Sequence, residues 1–310
     1  MTTGRQSTGP SLVFQGLTAQ HGALIDAAGY HRDGFALVEG FLTDEELEVL
    51  RAETSRICRQ ELEAATQDDG ATAVGTAVPG ARPDPEVLRQ FLCIHFPHKV
   101  SPTMLELLSH PRAVESLVEV IGPDVKAMQS MLFIKAEGKP GQAWHQDEYF
   151  IPTRDRSLTA VWIALDDATV SNGCLWVLPG SHRAGVIYPE REIDDDRFDC
   201  TTEAYRFPYR DSDAVPVEVQ AGTAVVFNGY LLHRSLPNTA AGSLRRAVVN
   251  HYMSARSLLP WRPPRDGEHL AMVDDRDIVM VAGTDPYTYK GLEDRHVAYV
   301  RPDREGGCDR

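Results

Sequence analysis

The spacing of hydrophobic residues changes once along this chain, near Pro123. Before that point, apolar side chains recur every three or four residues, which is typical of amphipathic helices. One such helix follows Thr43-Asp44-Glu45-Glu46, where Thr43 is expected to cap the first turn and Glu46 to bond back to the Thr43 amide. Two shorter helices are predicted at about 102–109 and 111–121, and Gly122-Pro123 ends the second.

After Pro123, short apolar stretches alternate with turn sequences such as Asn172-Gly173 and Pro179-Gly180. Stretches of this kind are typical of β-strands. The predicted strands lie at about 125–135, 158–165, 174–178, 215–219, 223–228 and 245–252. Helices followed by many short strands predict an α+β fold whose core is an antiparallel sandwich or barrel.

We predict a single domain at residues 21–310, preceded by a flexible N-terminus at residues 1–20. The predicted parts of this domain are a helical part at about 21–122, a β core at about 123–255 and a C-terminal cover on the pocket at about 256–310.

Two segments lack the spacing of either a helix or a strand. Residues 66–85 are rich in Gly, Ala, Thr, Asp and Pro, so we predict a flexible surface loop there in preference to a lid over the pocket. Residues 182–214 are polar and acidic, and we predict a long insertion between strands.

Composition narrows the possible functions. The chain has 310 residues and a formal net charge of −14, which argues against a nucleic-acid partner because phosphate binding needs clustered Lys and Arg. No apolar segment approaches the roughly 20 residues that a membrane-spanning helix needs. The five cysteines show no Cys-x-x-Cys spacing. Neither a disulfide framework nor a zinc knuckle is therefore indicated, and a reduced, cytoplasmic setting is predicted.

The sequence Trp144-His145-Gln146-Asp147 carries the first candidate chemistry. On an extended strand, residues two apart face the same side, so His145 and Asp147 would present an imidazole and a carboxylate together. This pair is two-thirds of a 2-His-1-carboxylate triad, which holds non-heme Fe(II) and leaves positions open for oxygen chemistry. His233, which follows the apolar strand at 223–228, is the best candidate for the third ligand.

A co-substrate that carries carboxylates also needs a cationic anchor, and a guanidinium suits this role because it can form two parallel hydrogen bonds. Arg245 and Arg246 begin the strand at 245–252. They point to opposite faces, so only one of them can face inward. The sequence alone leaves the choice between them open.

These motifs together resemble the phytanoyl-CoA dioxygenase family, which includes ectoine hydroxylase. The resemblance rests on His145-Gln146-Asp147, Asn172-Gly173-Cys174-Leu175, Pro179-Gly180-Ser181-His182, His233-Arg234-Ser235 and Arg245-Arg246-Ala247, and it covers about residues 25–255. It implies a double-stranded β-helix (a jelly-roll or cupin-like core) with N-terminal helices packed on it. It also implies Fe(II), 2-oxoglutarate as co-substrate, and O₂.

The resemblance assigns roles to individual residues. His145, Asp147 and His233 would bind iron. The residues implied to contact or pack near 2-oxoglutarate are Arg245, Ser235, Gln129, Trp162 and His95. Two departures from the family pattern keep Arg246 open beside Arg245: Arg234 stands where a Gly is usual, and the loop before Arg245 is one residue longer than usual.

Aromatic and histidine residues near these motifs have simpler expected roles. Trp144 and Trp176 are predicted to be core residues, and His182 a structural turn residue. Tyr149 and Phe150, just past the His-x-Asp motif, are candidates for lining the pocket.

The function that the resemblance implies is hydroxylation of a small molecule, with release of succinate and CO₂. Related halogenases lack the metal-binding carboxylate, so the presence of Asp147 favours hydroxylation. No strongly basic run suggests a site for the phosphates of an acyl-CoA, and the substrate stays open. Two alternatives remain: a non-catalytic binding protein of the same fold, and a zinc hydrolase.

Overall fold

The computed structural model describes residues 25–68, 84–199 and 202–301. Within them, two antiparallel sheets enclose an apolar layer, and helices pack on the outer face of the larger sheet. The helices are α1 Ala27–Asp33, α2 Asp44–Asp68, α3 Asp84–Leu88, α4 Pro102–Leu107, α5 Pro111–Ile121 and α6 Asp147–Phe150. None of the described helices is both long enough and apolar enough to span a bilayer.

The larger sheet has eight strands in the described residues. Its strands are β1 Phe35–Val38, β2 Cys93–His95, β3 Val125–Ala136, β5 Thr159–Ala164, β10 Ala224–Asn228, β12 Leu244–Ser254, β13 Val279–Ala282 and β14 Tyr299–Arg301. They follow the order β1-β10-β5-β12-β3-β2-β14, and β13 also pairs with β3. Every pairing is antiparallel.

The smaller sheet has the order β4-β11-β6-β9. Its strands are β4 Gln142–His145, β6 Leu175–Val177, β9 Val215–Val217 and β11 His233–Ser235, and a separate hairpin joins β7 Glu190–Glu192 to β8 Thr202–Ala204. The two sheets together form a double-stranded β-helix with helices against one face. The predicted α+β class and core are confirmed.

Strand β5 shows why the sequence builds these layers. All six of its residues are buried, because helices cover one face and the smaller sheet covers the other. Val161 and Ile163 belong to the helix-side core, together with Leu50 and Leu117. Trp162, one position over, belongs to the core between the sheets. The two-residue period of a strand thus directs Trp162 toward the interior of the β-helix.

The predicted start of the long helix is confirmed. The Thr43 amide donates to the Glu46 carboxylate at 2.9 Å, and the Glu46 amide donates to the Thr43 hydroxyl at 3.2 Å. This reciprocal pair satisfies two amides that the first turn leaves without helical partners. The turn from α1 into β1 passes through Gly34, whose φ of 90° is in the left-handed region that glycine tolerates.

Two expectations about local structure need correction, and a third gains detail. Strand β4 ends at His145, and Asp147 is the first residue of α6, so the two residues do not share one strand face. Helix α2 continues to Asp68 and α3 begins at Asp84, so the ends of the segment predicted as a loop at 66–85 are helical; residues 69–83 lie outside the described residues. The predicted insertion at 182–214 contains the β7–β8 hairpin.

The C-terminal segment, predicted to cover the pocket, contributes strands to the larger sheet. Strands β13 and β14 lie within it, and they extend the larger sheet by pairing with β3 and β2. The predicted flexible N-terminus, residues 1–20, lies outside the described residues.

Candidate metal centre

The candidate site is a cavity of about 710 Å³ in the interior of the β-helix. Residues of both sheets line it, among them Trp162 of β5 and Val249 of β12 from the larger sheet, and His233 of β11 from the smaller one. This volume is typical of small-molecule sites. The cavity therefore has the size and enclosure expected of an active site.

His145, Asp147 and His233 come together at one point of this cavity. His145 and His233 are direct cross-strand partners on β4 and β11, and their ring centroids lie 4.1 Å apart. Asp147 Oδ1 lies 3.8 Å from His145 Nε2 and 3.6 Å from His233 Nε2. One ligand atom from each residue falls within 4.8 Å of the others, the only such group of His, Cys, Asp or Glu in the described part of the chain.

Backbone carbonyls fix which nitrogen of each imidazole is free to bind a metal. His145 Nδ1 lies 2.8 Å from the Ala143 carbonyl, and His233 Nδ1 lies 3.0 Å from the Leu231 carbonyl. A carbonyl oxygen only accepts, so each Nδ1 carries the proton and donates it. Both Nε2 lone pairs are then directed toward Asp147, as metal ligation requires.

The carboxylate is ionised. Burial alone would raise the pKa of Asp147, but the neighbouring imidazoles of His233, His251 and His145 hold it well below its usual value. His251 also makes a direct contact, because its Nε2 lies 3.1 Å from Asp147 Oδ2. One oxygen of Asp147 is therefore held by His251 while the other faces the two metal-binding nitrogens.

His251 was not among the residues predicted from the sequence, although a signal for it was present. Residues 245, 247, 249 and 251 of β12 share one face under the two-residue period of a strand. His251 therefore lies on the same face as the candidate anchor Arg245. A search along that face would have found it.

Of the two candidate arginines, only Arg245 faces the cavity. Its side chain is buried, its Nη2 donates to the Gly173 carbonyl at 2.9 Å, and its guanidinium lies 5.4 Å from the Trp162 ring centroid. Burial lowers the pKa of Arg245 to about 10. Arg246 points to the other face of β12 and forms a two-bond ion pair with Asp166, with both N–O distances at 2.8 Å.

A second buried cation, Lys135, lies in the same cavity and was also missed. Its Nζ donates to Ser235 Oγ at 2.9 Å and to the Leu236 carbonyl at 2.8 Å. Burial, reinforced by Arg245, lowers the pKa of Lys135 well below its usual value. The signal was again the strand period, since Lys135 continues the face of β3 that carries Gln129.

No carboxylate among the described residues forms an ion pair with Lys135 or Arg245. Burying a cation without a compensating charge is costly. Arg245 Nε is also buried with no hydrogen-bond partner in the described residues. The inner end of the cavity is therefore prepared for an anion.

All of the residues that the resemblance assigned to the co-substrate line this one cavity. They are His95, Gln129, Trp162, Ser235 and Arg245. Beyond accepting from Lys135, Ser235 Oγ accepts from the Gln142 amide at 3.2 Å. The location of these residues is established, and their roles toward a ligand remain predictions.

The unusual Arg234 has a structural explanation. Its guanidinium lies over the Trp144 ring, 4.5 Å from the centroid, and forms an ion pair with Asp211 at 3.0 Å. The ring of Trp144 is buried in an apolar cluster, as predicted for a core residue. Of the two aromatics after the motif, Phe150 lines the cavity and Tyr149 is exposed.

Comparisons with known proteins agree with this site. The family model described as Phytanoyl-CoA dioxygenase (PhyH) matches residues 30–247. A phytanoyl-CoA dioxygenase of Arabidopsis thaliana is 38% identical over 129 residues, which are 41% of this chain and 44% of that protein. The matched region thus spans less than half of the plant relative.

Two solved structures have a similar fold. The non-heme monooxygenase ThoJ is 25% identical, with 84% of each chain covered and a TM-score of 0.59. EctD from S. alaskensis with bound Fe is 21% identical, with 81% of this chain and 83% of that chain covered and a TM-score of 0.53. At this identity, the likeness to EctD supports the fold assignment alone. Because the family model matches most of the chain, this protein belongs to the phytanoyl-CoA dioxygenase family.

Proposed function

We propose that this protein is an Fe(II)- and 2-oxoglutarate-dependent dioxygenase that hydroxylates a small molecule. The observation that carries the proposal is one cavity holding both a three-ligand metal site and two buried basic side chains, Arg245 and Lys135, that form no ion pair with an acidic side chain in the described residues. Family membership and the likeness to a non-heme monooxygenase support it. The cytoplasmic setting belongs to the proposal, supported by Cys58 and Cys174, which are buried thiols outside any disulfide.

The donor set suits iron. His145, His233 and Asp147 would hold Fe(II) through two neutral imidazoles and one carboxylate, which is the donor set of non-heme Fe(II) oxygenases. Bound Fe(II), with 2-oxoglutarate and O₂, would supply the oxidant: one oxygen atom would enter a substrate C–H bond as hydroxyl, and the other would enter succinate as CO₂ is lost.

The protein's own part at the metal is to fix the three ligands. The Ala143 and Leu231 carbonyls hold the two imidazoles in the required tautomer. His251 holds Asp147, so the carboxylate keeps one oxygen directed at the metal position. Partners of this kind increase metal affinity because the ligands are oriented before the metal binds.

The two buried cations would hold the distal carboxylate of 2-oxoglutarate. Arg245 offers its unpartnered Nε–H, and Lys135 offers an ammonium next to the Ser235 hydroxyl. Bonds between ionised groups are roughly twice as strong as neutral ones. Apolar neighbours such as Trp162 and Val249 exclude water from this end of the cavity, which strengthens the charge interaction further.

Anaerobic titration tests the proposal without knowledge of the substrate. Fe(II) and 2-oxoglutarate added together should give a weak visible charge-transfer band, which neither component gives alone. His145→Ala should abolish the band, and Arg246→Ala, on the opposite face of β12, should retain it. A wild-type protein that binds Fe(II) and gives no band on addition of 2-oxoglutarate would exclude the proposal. Hydrolysis that requires Zn²⁺ and whose rate is unchanged by 2-oxoglutarate would favour the zinc hydrolase instead.

A second measurement separates an enzyme from a binding protein. Succinate formation from 2-oxoglutarate under O₂ requires turnover, and a protein that only binds its ligands produces none. We expect slow, Fe(II)-dependent succinate release in the wild type and none in His145→Ala. A band without any succinate, across a panel of small molecules, would favour the non-catalytic alternative.

A further inference from the structure

One side of the cavity is built from aromatic rings, which we call the aromatic wall. The six wall residues that line the cavity are His95, Phe96, Phe150, Trp261, His296 and Tyr299. They come from β2 and the residue after it, from α6 and from the C-terminal segment. The wall has no role in the function proposed above, apart from the co-substrate contact implied for His95.

Two parallel ring stacks join the C-terminal segment to β2. His95 and Tyr299 are stacked with centroids 4.5 Å apart and planes 7° apart, and Phe96 and His296 are stacked at 4.8 Å and 3°. The antiparallel pairing of β14 with β2 places Tyr299 directly opposite His95. Residues distant in the chain thus form one continuous surface.

The wall extends to the metal ligands. The Trp261 ring meets His296 edge-on at 5.7 Å, and the indole nitrogen of Trp261 donates to the Phe150 carbonyl at 3.0 Å. The ring of Phe150 lies 6.3 Å from that of the metal ligand His145. A molecule lying along the wall would therefore have one end beside the metal position.

Buried acids hold the wall in place. Asp277 accepts from the Arg295 and His296 amides at 2.8 and 2.7 Å, and Asp275 accepts from the Arg295 guanidinium at 2.9 Å. Lys99 donates to the other oxygen of Asp277. Because these contacts fix the segment before any ligand arrives, little ordering would be required on binding.

The wall contains no Lys, Arg, Asp or Glu. The cations that line the cavity are Lys135 and Arg245 at the inner end and Arg234, which is stacked on Trp144. The lining acid Asp199 lies close enough to Lys135 to raise the pKa of that lysine, and its amide donates to the carbonyl of Gly141, a residue in close contact with Ser235. A phosphate lying along the wall would find no Lys or Arg among the residues that form it.

We propose that the substrate is a neutral molecule built on fused or linked rings, bound flat along the aromatic wall with its reacting carbon at the Phe150 end. Ring faces pack favourably on aromatic side chains, and an uncharged ring gives up little hydration. An acyl-CoA, which the relatives' names suggest for those proteins, would bring phosphates that the wall does not neutralise. This inference rests on the proposed function.

Calorimetry on the anaerobic Fe(II)–2-oxoglutarate protein tests the inference, with 2-naphthol as the neutral ring probe and palmitoyl-CoA as the competitor class. We expect saturable binding of 2-naphthol and weaker or undetectable binding of palmitoyl-CoA. Phe96→Ala and Trp261→Leu should each weaken 2-naphthol binding about two- to tenfold, the range expected for one aromatic contact. Tyr289→Ala, an exposed aromatic of the same segment that does not line the cavity, is the matched control.

The charge-transfer band, recorded on each sample, separates this inference from the proposed function. If the band forms and 2-naphthol does not bind, the substrate class is wrong while the proposed function stands. Palmitoyl-CoA binding as tightly as 2-naphthol would overturn the inference. So would 2-naphthol binding that is the same in the wild type and in both wall variants.

Discussion

The Nε2 atom of His251 lies 3.1 Å from Oδ2 of Asp147. Because the carboxylate is ionised and only accepts, His251 must carry the proton on Nε2 and donate it. The contact leaves Oδ1 of Asp147 facing His145 and His233. Strand β12 therefore supplies both the partner that orients the metal-binding carboxylate and, six residues earlier, the candidate co-substrate anchor Arg245.

Loss of His251 should weaken metal binding without removing a ligand. We expect His251→Phe to reduce Fe(II) affinity about 10- to 100-fold, the usual effect of removing a partner of a metal ligand. His251→Gln, which keeps an N–H donor, should recover part of the loss. Anaerobic competition with a chelator measures both.

His182→Gln is the control for this comparison, because His182 bonds to the His31 carbonyl and does not line the cavity. Its Fe(II) affinity should equal that of the wild type. Equal affinities in His251→Phe and the wild type would contradict the role given to His251.

The two adjacent arginines should behave differently. Arg245→Leu removes the buried guanidinium that faces the cavity, and we expect 2-oxoglutarate affinity to fall about 100-fold, as for the loss of a strong hydrogen bond to a charged group. Arg246→Leu removes an ion pair with Asp166 on the other face and should leave that affinity unchanged. Titration of the anaerobic charge-transfer band gives both dissociation constants. Equal losses in the two variants would show that Arg245 is not the anchor.

Lys135 should contribute to co-substrate binding and not to metal binding. Lys135→Met keeps the length and packing of the side chain and removes its charge, so we expect 2-oxoglutarate to bind about tenfold more weakly. Lys126→Met is the matched control: Lys126 is also buried on β3, but its Nζ donates to the Ser257 carbonyl away from the cavity. Isothermal titration with Fe(II) present checks both variants, and identical affinities would refute a role for Lys135.

The stability of the protein should depend on His98 in mildly acidic solution. Burial, with Lys99 as a smaller cause, lowers the pKa of His98 to about 4, compared with about 6.5 for a free imidazole. Between these values the unfolded chain binds a proton that the folded chain does not. Stability is therefore lost as the pH falls from about 6.5 to about 4, and it is retained above that range.

This loss is about 2 kcal/mol between pH 7 and pH 5, from about 1.4 kcal/mol per pH unit within the window. Urea unfolding at pH 7 and pH 5 measures how much the free energy of unfolding falls between them. This fall should be smaller in His98→Gln than in the wild type, by about 2 kcal/mol. Burial raises the pKa of Glu148 to about 7. Because Glu148 is present in both proteins, its contribution to the pH dependence of stability cancels in the comparison. His31→Gln, at an exposed position, should behave as the wild type. The same loss in His98→Gln as in the wild type would contradict the assignment.

Much of the site could be predicted because its residues follow the periods of long strands. The face of β3 that carries Gln129 and the inward direction of Trp162 follow from two-residue alternation. The choice of Arg245 over Arg246 could not be made in this way. Alternation shows that the two side chains point to opposite faces of the strand, but it does not show which face is the inner one. That choice depends on which face of β12 the smaller sheet covers.

The errors arose where elements are short. A single residue, Gln146, separates the end of β4 from Asp147, and a three-residue motif fits a strand or a strand-to-helix turn equally well. Strands β13 and β14 have four and three residues, and β13 is half-buried throughout, so neither has a run of alternating polarity. Their place in the larger sheet is set by pairing with β3 and β2, which are distant in the chain, and local sequence does not encode such pairing.

The central claim is that one cavity holds iron at His145, Asp147 and His233 and the distal carboxylate of 2-oxoglutarate at Arg245. The most direct measurement is a crystal structure of the anaerobic protein with Fe(II) and 2-oxoglutarate, with anomalous data collected at the iron edge. We expect one anomalous peak within bonding distance of the three ligand atoms, and co-substrate density running from that peak to the guanidinium of Arg245 beside Lys135. An iron peak elsewhere, or a co-substrate whose distal carboxylate lies against the aromatic wall, would contradict it.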